Sequence, residues 1–132
     1  MIAVDTSALI AIIKQEPLGD QCAAILTSAP AAIMSAGTLV EARIVALTGG
    51  RIEDLDKIVA ASISEIVPVT EVRTRFISDV YAFWGKGIHP AGLNFGDCFA
   101  YATAKEFGCP LLYVGQDFAR TDIAAAIPAG QA

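Results

Sequence analysis

The chain has 132 residues, 55% of them hydrophobic, and its 14 Asp and Glu against 9 Lys and Arg give a formal net charge of −5. A mean hydropathy of +0.56 excludes a disordered chain, the length fits one domain over residues 1–132 with a genuine core, and no apolar run reaches the ~18 residues of a membrane span. Such acidity argues against a non-specific nucleic-acid binder but not against a nucleic-acid enzyme that gathers its acids in a metal site and keeps its bases on the rim.

"MIAVD" (Met1 to Asp5) is a short apolar run ending in an acid, the pattern of a buried parallel strand. It has no basic lead, which argues against a secretory signal. Cys22, Cys98 and Cys109 are odd in number and lack C-x-x-C spacing, so they read as buried, reduced thiols of a cytoplasmic protein. "TSALIAIIK" follows with helical spacing and Thr6 or Ser7 as cap, Glu16-Pro17 interrupts it, and "LGDQCAAILTSA" resumes as a second helix. "AIMS" (Ala32 to Ser35) reads as a strand, and Ser35 caps a third helix, "AGTLVEARIVALT", which stops at Gly49-Gly50.

"IEDLDKIVAASISE" forms a fourth helix with Ile52, Leu55, Ile58, Val59 and Ile63 on one side, and "IVPV" (Ile66 to Val69) a third strand. Thr70 with Arg73 to Trp84 makes another helix, ended by the region of Gly85 and Gly87. In "LNFGDCFAYATAKEFG" Asn94 is a natural N-cap and Asp97 falls at N3, where a negative charge suits the helix dipole. "LLYVG" (Leu111 to Gly115) is the fourth strand, "QDFARTD" a loop or short helical turn, and "IAAAI" (Ile123 to Ile127) a short last strand. Alternating strands and helices predict an α/β sandwich around a mainly parallel sheet of four or five short strands.

Ligands of an open parallel sheet collect at the carboxyl ends of its strands. Asp5 ends the first strand and Asp117 lies just beyond the fourth, so more than a hundred intervening residues leave them on one rim. Asp97 faces that rim if its helix begins there. Glu41 sits inside the third helix between Gly37, Thr38, Ile44 and Val45, a flank that offers it no partner at helical spacing, since Arg43 points elsewhere. Singly, each has a plain structural reading: Asp5 beside a cap, Asp97 as a dipole acid, Asp117 in a turn. Together they would repel one another strongly. A divalent cation resolves that repulsion, and an all-oxygen donor set points to Mg²⁺ or Mn²⁺ over Zn²⁺.

"MIAVDTSALIAIIKQEP", "SAGTLVEARIV" and "LNFGDCFAYATAKEFGCPLLYVGQDFARTDI" resemble the PIN-domain nucleases, specifically the VapC toxins of bacterial toxin–antitoxin modules. The resemblance implies a PIN-like α/β/α sandwich and a Mg²⁺- or Mn²⁺-dependent endoribonuclease, homodimeric and held inactive by a VapB-type antitoxin. Position by position, the family's acidic quartet matches Asp5, Glu41, Asp97 and Asp117, with Asp122 in the place of a further acid, and Thr6 and Ser7 match hydroxyls that support the first aspartate.

RNA phosphates need positive partners, for which Arg43, Arg73, Arg75, Lys86 and Arg120 are candidates, each also readable as a plain surface residue. Tyr81, Phe83 and Trp84 suit packing or a dimer contact better than base stacking, and the lone His89 before Pro90 suits a structural role better than acid catalysis. The first two helices hold more apolar residues than one buried face needs, a surplus that fits a partner's amphipathic segment. A phosphoaspartyl hydrolase would need a second Asp where Ser7 stands, and a receiver-like module a Lys that "LLYVGQD" lacks. The remaining alternative is a catalytically inactive PIN-like scaffold for RNA or protein binding, against which the intact set of acids argues.

Overall fold

The sheet is organised around β1 (Ile2–Val4), whose three residues are all buried, as expected of a central parallel strand covered on both faces. The structure, a computed structural model, describes residues 1–128. After β1 come α1 (Thr6–Ile13), α2 (Gly19–Ser28), β2 (Ala32–Ser35), α3 (Ala36–Thr48), α4 (Ile52–Ser62), β3 (Glu65–Val67), α5 (Glu71–Trp84), α6 (Phe95–Phe107) and β4 (Leu111–Leu112). All pairings are parallel, in the order β3-β2-β1-β4.

The period-two alternation of strand side chains divides the core. Ile2, Val4, Ala32, Met34 and Leu112 pack with Leu9, Leu26, Ala42 and Leu55 of α1 to α4. Ala3, Ile33, Val67 and Leu111 pack on the other face with Cys98, Tyr101 and Ala104 of α6 and with Ile77 and Val80 of α5. The result is the three-layer α/β/α architecture expected. Its chain order reverses between β1 and β4, and the crevice at such a switch point is where parallel sheets bind ligands.

Several boundaries differ from the predicted ones, each for a local reason. Asp5 itself caps α1, accepting from Ser7 N, so neither Thr6 nor Ser7 is the cap. The fourth helix stops at Ser62 because Ser64 bonds Ala32 through both its backbone and its hydroxyl and draws the chain onto β2. Pro68, with no N–H to donate, follows the end of β3. β4 is short because Val114 N turns to Ser7 Oγ and Gly115 adopts φ +97°. The expected last strand is a single parallel bridge, Leu111 to Ala125; residues 129–132 of the expected domain lie outside the described residues.

Cys22, Cys98 and Cys109 are free and buried. Among the described residues no helix is long and apolar enough to cross a membrane. The apolar surplus expected of the first two helices lies elsewhere: the exposed large side chains include Val40, Ile44 and Leu47 on α3, and Val72, Phe76 and Phe83 on α5. The apolar positions of α1 and α2 are taken up by contact with each other, with α3 and α4, and with the sheet.

Helix α6 begins with a capping box, in which Asn94 accepts from Asp97 N at 2.9 Å and Asp97 Oδ2 accepts from Asn94 N at 3.0 Å. It ends at Gly108 in the left-handed conformation. Asn94→Ala should cost about 1 kcal/mol in urea unfolding, and Asn94→Ser, which keeps a cap acceptor, should recover most of it.

Candidate active site

The carboxyl ends of β1 and β4 open into a cleft of about 320 Å³ lined by Asp5, Thr6, Ser7, Ile10, Glu16, Glu41, Val45, Asp97, Val114 and Asp117. The four predicted acids come from four separate segments: the N-cap of α1, the middle of α3, the first turn of α6 and the loop after β4. Among the described residues no lysine or arginine lines it. Asp5 and Asp97 are only 5% and 6% exposed, whereas Asp117 is exposed at the mouth.

Each inner acid has one oxygen fixed by the chain. Ser7 donates to Asp5 Oδ2 from its hydroxyl at 2.6 Å and from its backbone N at 3.0 Å, and the same hydroxyl accepts from Val114 N, locking α1 to the segment after β4. Asp97 Oδ2 is held by the capping box. Thr6 donates to Glu41 Oε1 at 2.7 Å, so Thr6 supports Glu41 and Ser7 alone supports Asp5, a division the sequence did not indicate. Among the described residues the buried Asp5 Oδ1 has no hydrogen-bond partner, a costly state for a carboxylate.

The electrostatics reflect this crowding. Burial, reinforced by Glu41 and Asp117, pushes the Asp5 carboxyl up to about 6 in spite of its Ser7 hydrogen bonds. Burial likewise pushes Asp97 up to about 7, with Asp117, Asp5 and Glu41 adding to the rise. These are acids lacking a counter-charge. An orphaned buried oxygen, an all-oxygen donor set and the absence of bases fit a hard divalent cation. Among the described residues no three His, Cys, Asp or Glu side chains are grouped to enclose an ion directly. A cation held there would therefore keep part of its water shell, as Mg²⁺ commonly does.

Asp122 does not join the cleft. It accepts hydrogen bonds from the Tyr101 hydroxyl and, at 2.9 Å, from Lys105 Nζ, and the Tyr101 bond chiefly holds its carboxyl below the usual range. Its partners anchor the loop after β4 to α6; Phe118, buried against Tyr113, anchors the same loop next to Asp117. Of the expected phosphate contacts, Arg43 is paired with Asp56, Arg73 with Glu106 through two nitrogens, and Arg75 with Glu71. Lys86 borders a different, apolar pocket with Tyr81 and Phe95, and Arg120 is exposed three residues beyond Asp117. His89 Nδ1 accepts from Ala91 N and its ring meets Trp84 edge-on, a structural arrangement. Phe83 and Trp84 line an apolar cavity of about 520 Å³ between α5 and α6 that contains none of the four acids.

The sequence reading missed Glu16, a further acid at the mouth. It was hidden as a helix breaker: Gln15 takes a left-handed φ of 55° while Glu16 N bonds Ala11 O, which turns the chain back along the cleft.

Residues 2–124 match the family model of the PIN domain. Ribonuclease VapC30 of Mycobacterium tuberculosis is 37% identical over 128 residues, covering 93% of this chain and 96% of its own. Ribonuclease VapC of Mycolicibacterium smegmatis is 38% identical over 129 residues, covering 94% and 98%. Among solved structures, the sarcin–ricin loop cleaving toxin VapC20 of M. tuberculosis superposes with a TM-score of 0.76 at 15% identity, covering 94% of this chain and 97% of that one. A toxin–antitoxin complex from Klebsiella pneumoniae gives 0.69 at 17%, covering 92% and 93%.

A carboxyl whose pKa is raised by folding, from 3.8 to about 6 for Asp5 and about 7 for Asp97, binds its proton more tightly in the native state. Its contribution to stability is complete below the unfolded value and disappears as pH rises through the folded one. The metal-free protein should therefore lose thermal stability between roughly pH 4 and 7. Asp97→Asn should flatten that decline and melt higher than the parent at the alkaline end. Calorimetric scans in chelator test this, and parallel pH profiles for the two proteins would count against mutual repulsion in the cleft.

Proposed function

We propose that this chain, which belongs to the PIN-domain family and within it to the VapC ribonucleases, is an endoribonuclease toxin that hydrolyses RNA phosphodiester bonds with Mg²⁺ or Mn²⁺ as its cofactor. The observation that carries the proposal is the convergence of Asp5, Glu41, Asp97 and Asp117 on one cleft without a basic residue. Asp5, Glu41 and Asp97 would hold the metal, directly or through water, and Asp117 would act at the mouth. A bound divalent ion supplies a water of lowered pKa and a Lewis acid for the charge that builds on the phosphate.

The chain's own groups prepare the cleft for that chemistry. Ser7, Thr6 and the capping box each occupy one carboxylate oxygen, which fixes the orientation of Asp5, Glu41 and Asp97 before substrate arrives. Glu41, which receives its bond from Thr6 on Oε1, keeps Oε2 to accept a proton from, and so orient, an attacking water. Lys86 and Arg120, which have no acidic side chain as partner in the ion pairs described, are the better candidates for RNA phosphates; Arg43, Arg73 and Arg75 first have to leave theirs.

The reading extends to a cytoplasmic, homodimeric toxin forming one domain, neutralised by a VapB-type antitoxin. Support for such a partner comes from the likeness to a toxin–antitoxin complex and from the apolar stripe Val40, Ile44 and Leu47 on the helix that carries Glu41. A catalytically inactive scaffold is disfavoured by the raised Asp5 and Asp97 carboxyls, a strain that mere binding does not require.

Mn²⁺ or Mg²⁺ should raise the melting temperature of the protein. Asp97→Asn should lose that rise together with RNA cleavage, by more than the roughly 10–100-fold that removal of a supporting hydrogen bond costs. Thermal shift with a metal titration and cleavage of a labelled total-RNA pool measure both; an Asp97→Asn protein that cuts at the parental rate would refute the assignment.

A further inference from the structure

We propose that Gly96 is a positioning residue for Glu41, the space of its missing side chain being what the Glu41 carboxylate occupies. The inference rests on the reading of Glu41 as a cleft acid and adds the device that places it. A Cβ built on Gly96 would lie 2.1 Å from Glu41 Oε2, 2.6 Å from its Cδ and 3.0 Å from Oε1, distances at which atoms overlap.

Nothing in the backbone calls for glycine here. Gly96 lies in the first turn of α6 and is absent from the glycines with positive φ, so alanine would be the better helix former. The reason for glycine therefore lies across the interface, in α3. One turn before Glu41, Gly37 meets the same helix: a Cβ there would stand 2.2 Å from the Phe99 ring. Gly37 and Glu41 share a face of α3, and Gly96 and Phe99 share a face of α6. Two glycines thus let the helices approach until the carboxylate rests on the first turn of α6, whose positive end favours it.

From the opposite side, Thr6 Oγ1 reaches Glu41 Oε1 and the Thr38 carbonyl at 2.7 and 3.2 Å. Thr6 follows Asp5 in the chain, and Gly96 precedes Asp97. Each buried aspartate therefore has a neighbour that helps to place Glu41, Thr6 by donating to it and Gly96 by leaving it room, and neither neighbour is itself an acid.

The obstacle an alanine would meet is the far end of a flexible side chain, so the fold yields by moving the carboxylate. Gly96→Ala should keep its circular dichroism and melt at or above the parent's temperature without metal, yet bind Mn²⁺ about 10–100-fold more weakly in calorimetric titration. In a Glu41→Ala background the same change should add nothing, because the group it displaces is gone. Thr6→Val should weaken Mn²⁺ binding similarly, with recovery in Thr6→Ser. Parental Mn²⁺ affinity in Gly96→Ala, loss of its metal-free fold, or an equal further loss in the Glu41→Ala background would each overturn the proposal while leaving the nuclease reading intact. Unchanged Mn²⁺ affinity in Glu41→Ala alone would overturn both the proposal and the assignment of Glu41.

Discussion

Like charges without a counter-ion are the constraint around which this protein is arranged. Asp5 and Asp97 are buried beside the half-buried Glu41 in a cleft that, among the described residues, no lysine or arginine lines, and Asp5 carries an oxygen that no described residue satisfies. Such a cluster is expensive in isolation. The surroundings do not neutralise it; they orient it. Every hydrogen bond to the three inner acids comes from a hydroxyl or a backbone N–H, groups that stabilise a carboxylate without cancelling its charge. An internal ion pair would have removed the repulsion.

The fold supplies the rigidity that this arrangement requires. β1 is buried on both faces and ends directly in Asp5, so the position of that carboxylate follows from the sheet. Ser7 bonds both Asp5 and Val114, which ties the segment leading to Asp117 to the start of α1. The capping box uses Asp97 twice, as a structural N3 residue and as a cleft acid. An N-terminal helix turn is a suitable place for this double role, because the dipole partly offsets a charge that burial penalises.

Much of this was readable from the chain, and the exceptions share one cause. Elements whose ends are set by local chemistry were legible: Ser35 and Asn94 as caps, Gly49 as a stop, "AIMS" as a strand. The parallel α/β/α class followed from alternation, and the shared rim of Asp5 and Asp117 from the rule for parallel sheets. Ends set by a distant partner were not legible. Whether the fourth helix would stop at Ser62 depends on Ala32, and the length of β4 on Ser7. Within the site, spacing could not tell which hydroxyl serves which acid, nor that Glu16 would turn back onto the mouth. Asp122 shows the same limit: two acids five residues apart separate because Tyr101 and Lys105 claim the second.

The placement of positive charge completes the logic. With a net charge of −5 and Arg43, Arg73, Arg75 and Lys105 engaged in ion pairs, the chain carries an excess of acid, and none of the described lysines and arginines lines the cleft. A phosphate entering the cleft would meet carboxylates and be repelled unless a divalent cation, as proposed, reversed the local sign. On the proposed function, metal and RNA binding would be linked, and by reciprocity a bound phosphate would strengthen the hold on the metal by the factor the metal gives it. On that proposal, a cluster of acids that repel one another in the empty protein would be the means by which an acidic protein acquires a site for RNA only when the ion is present.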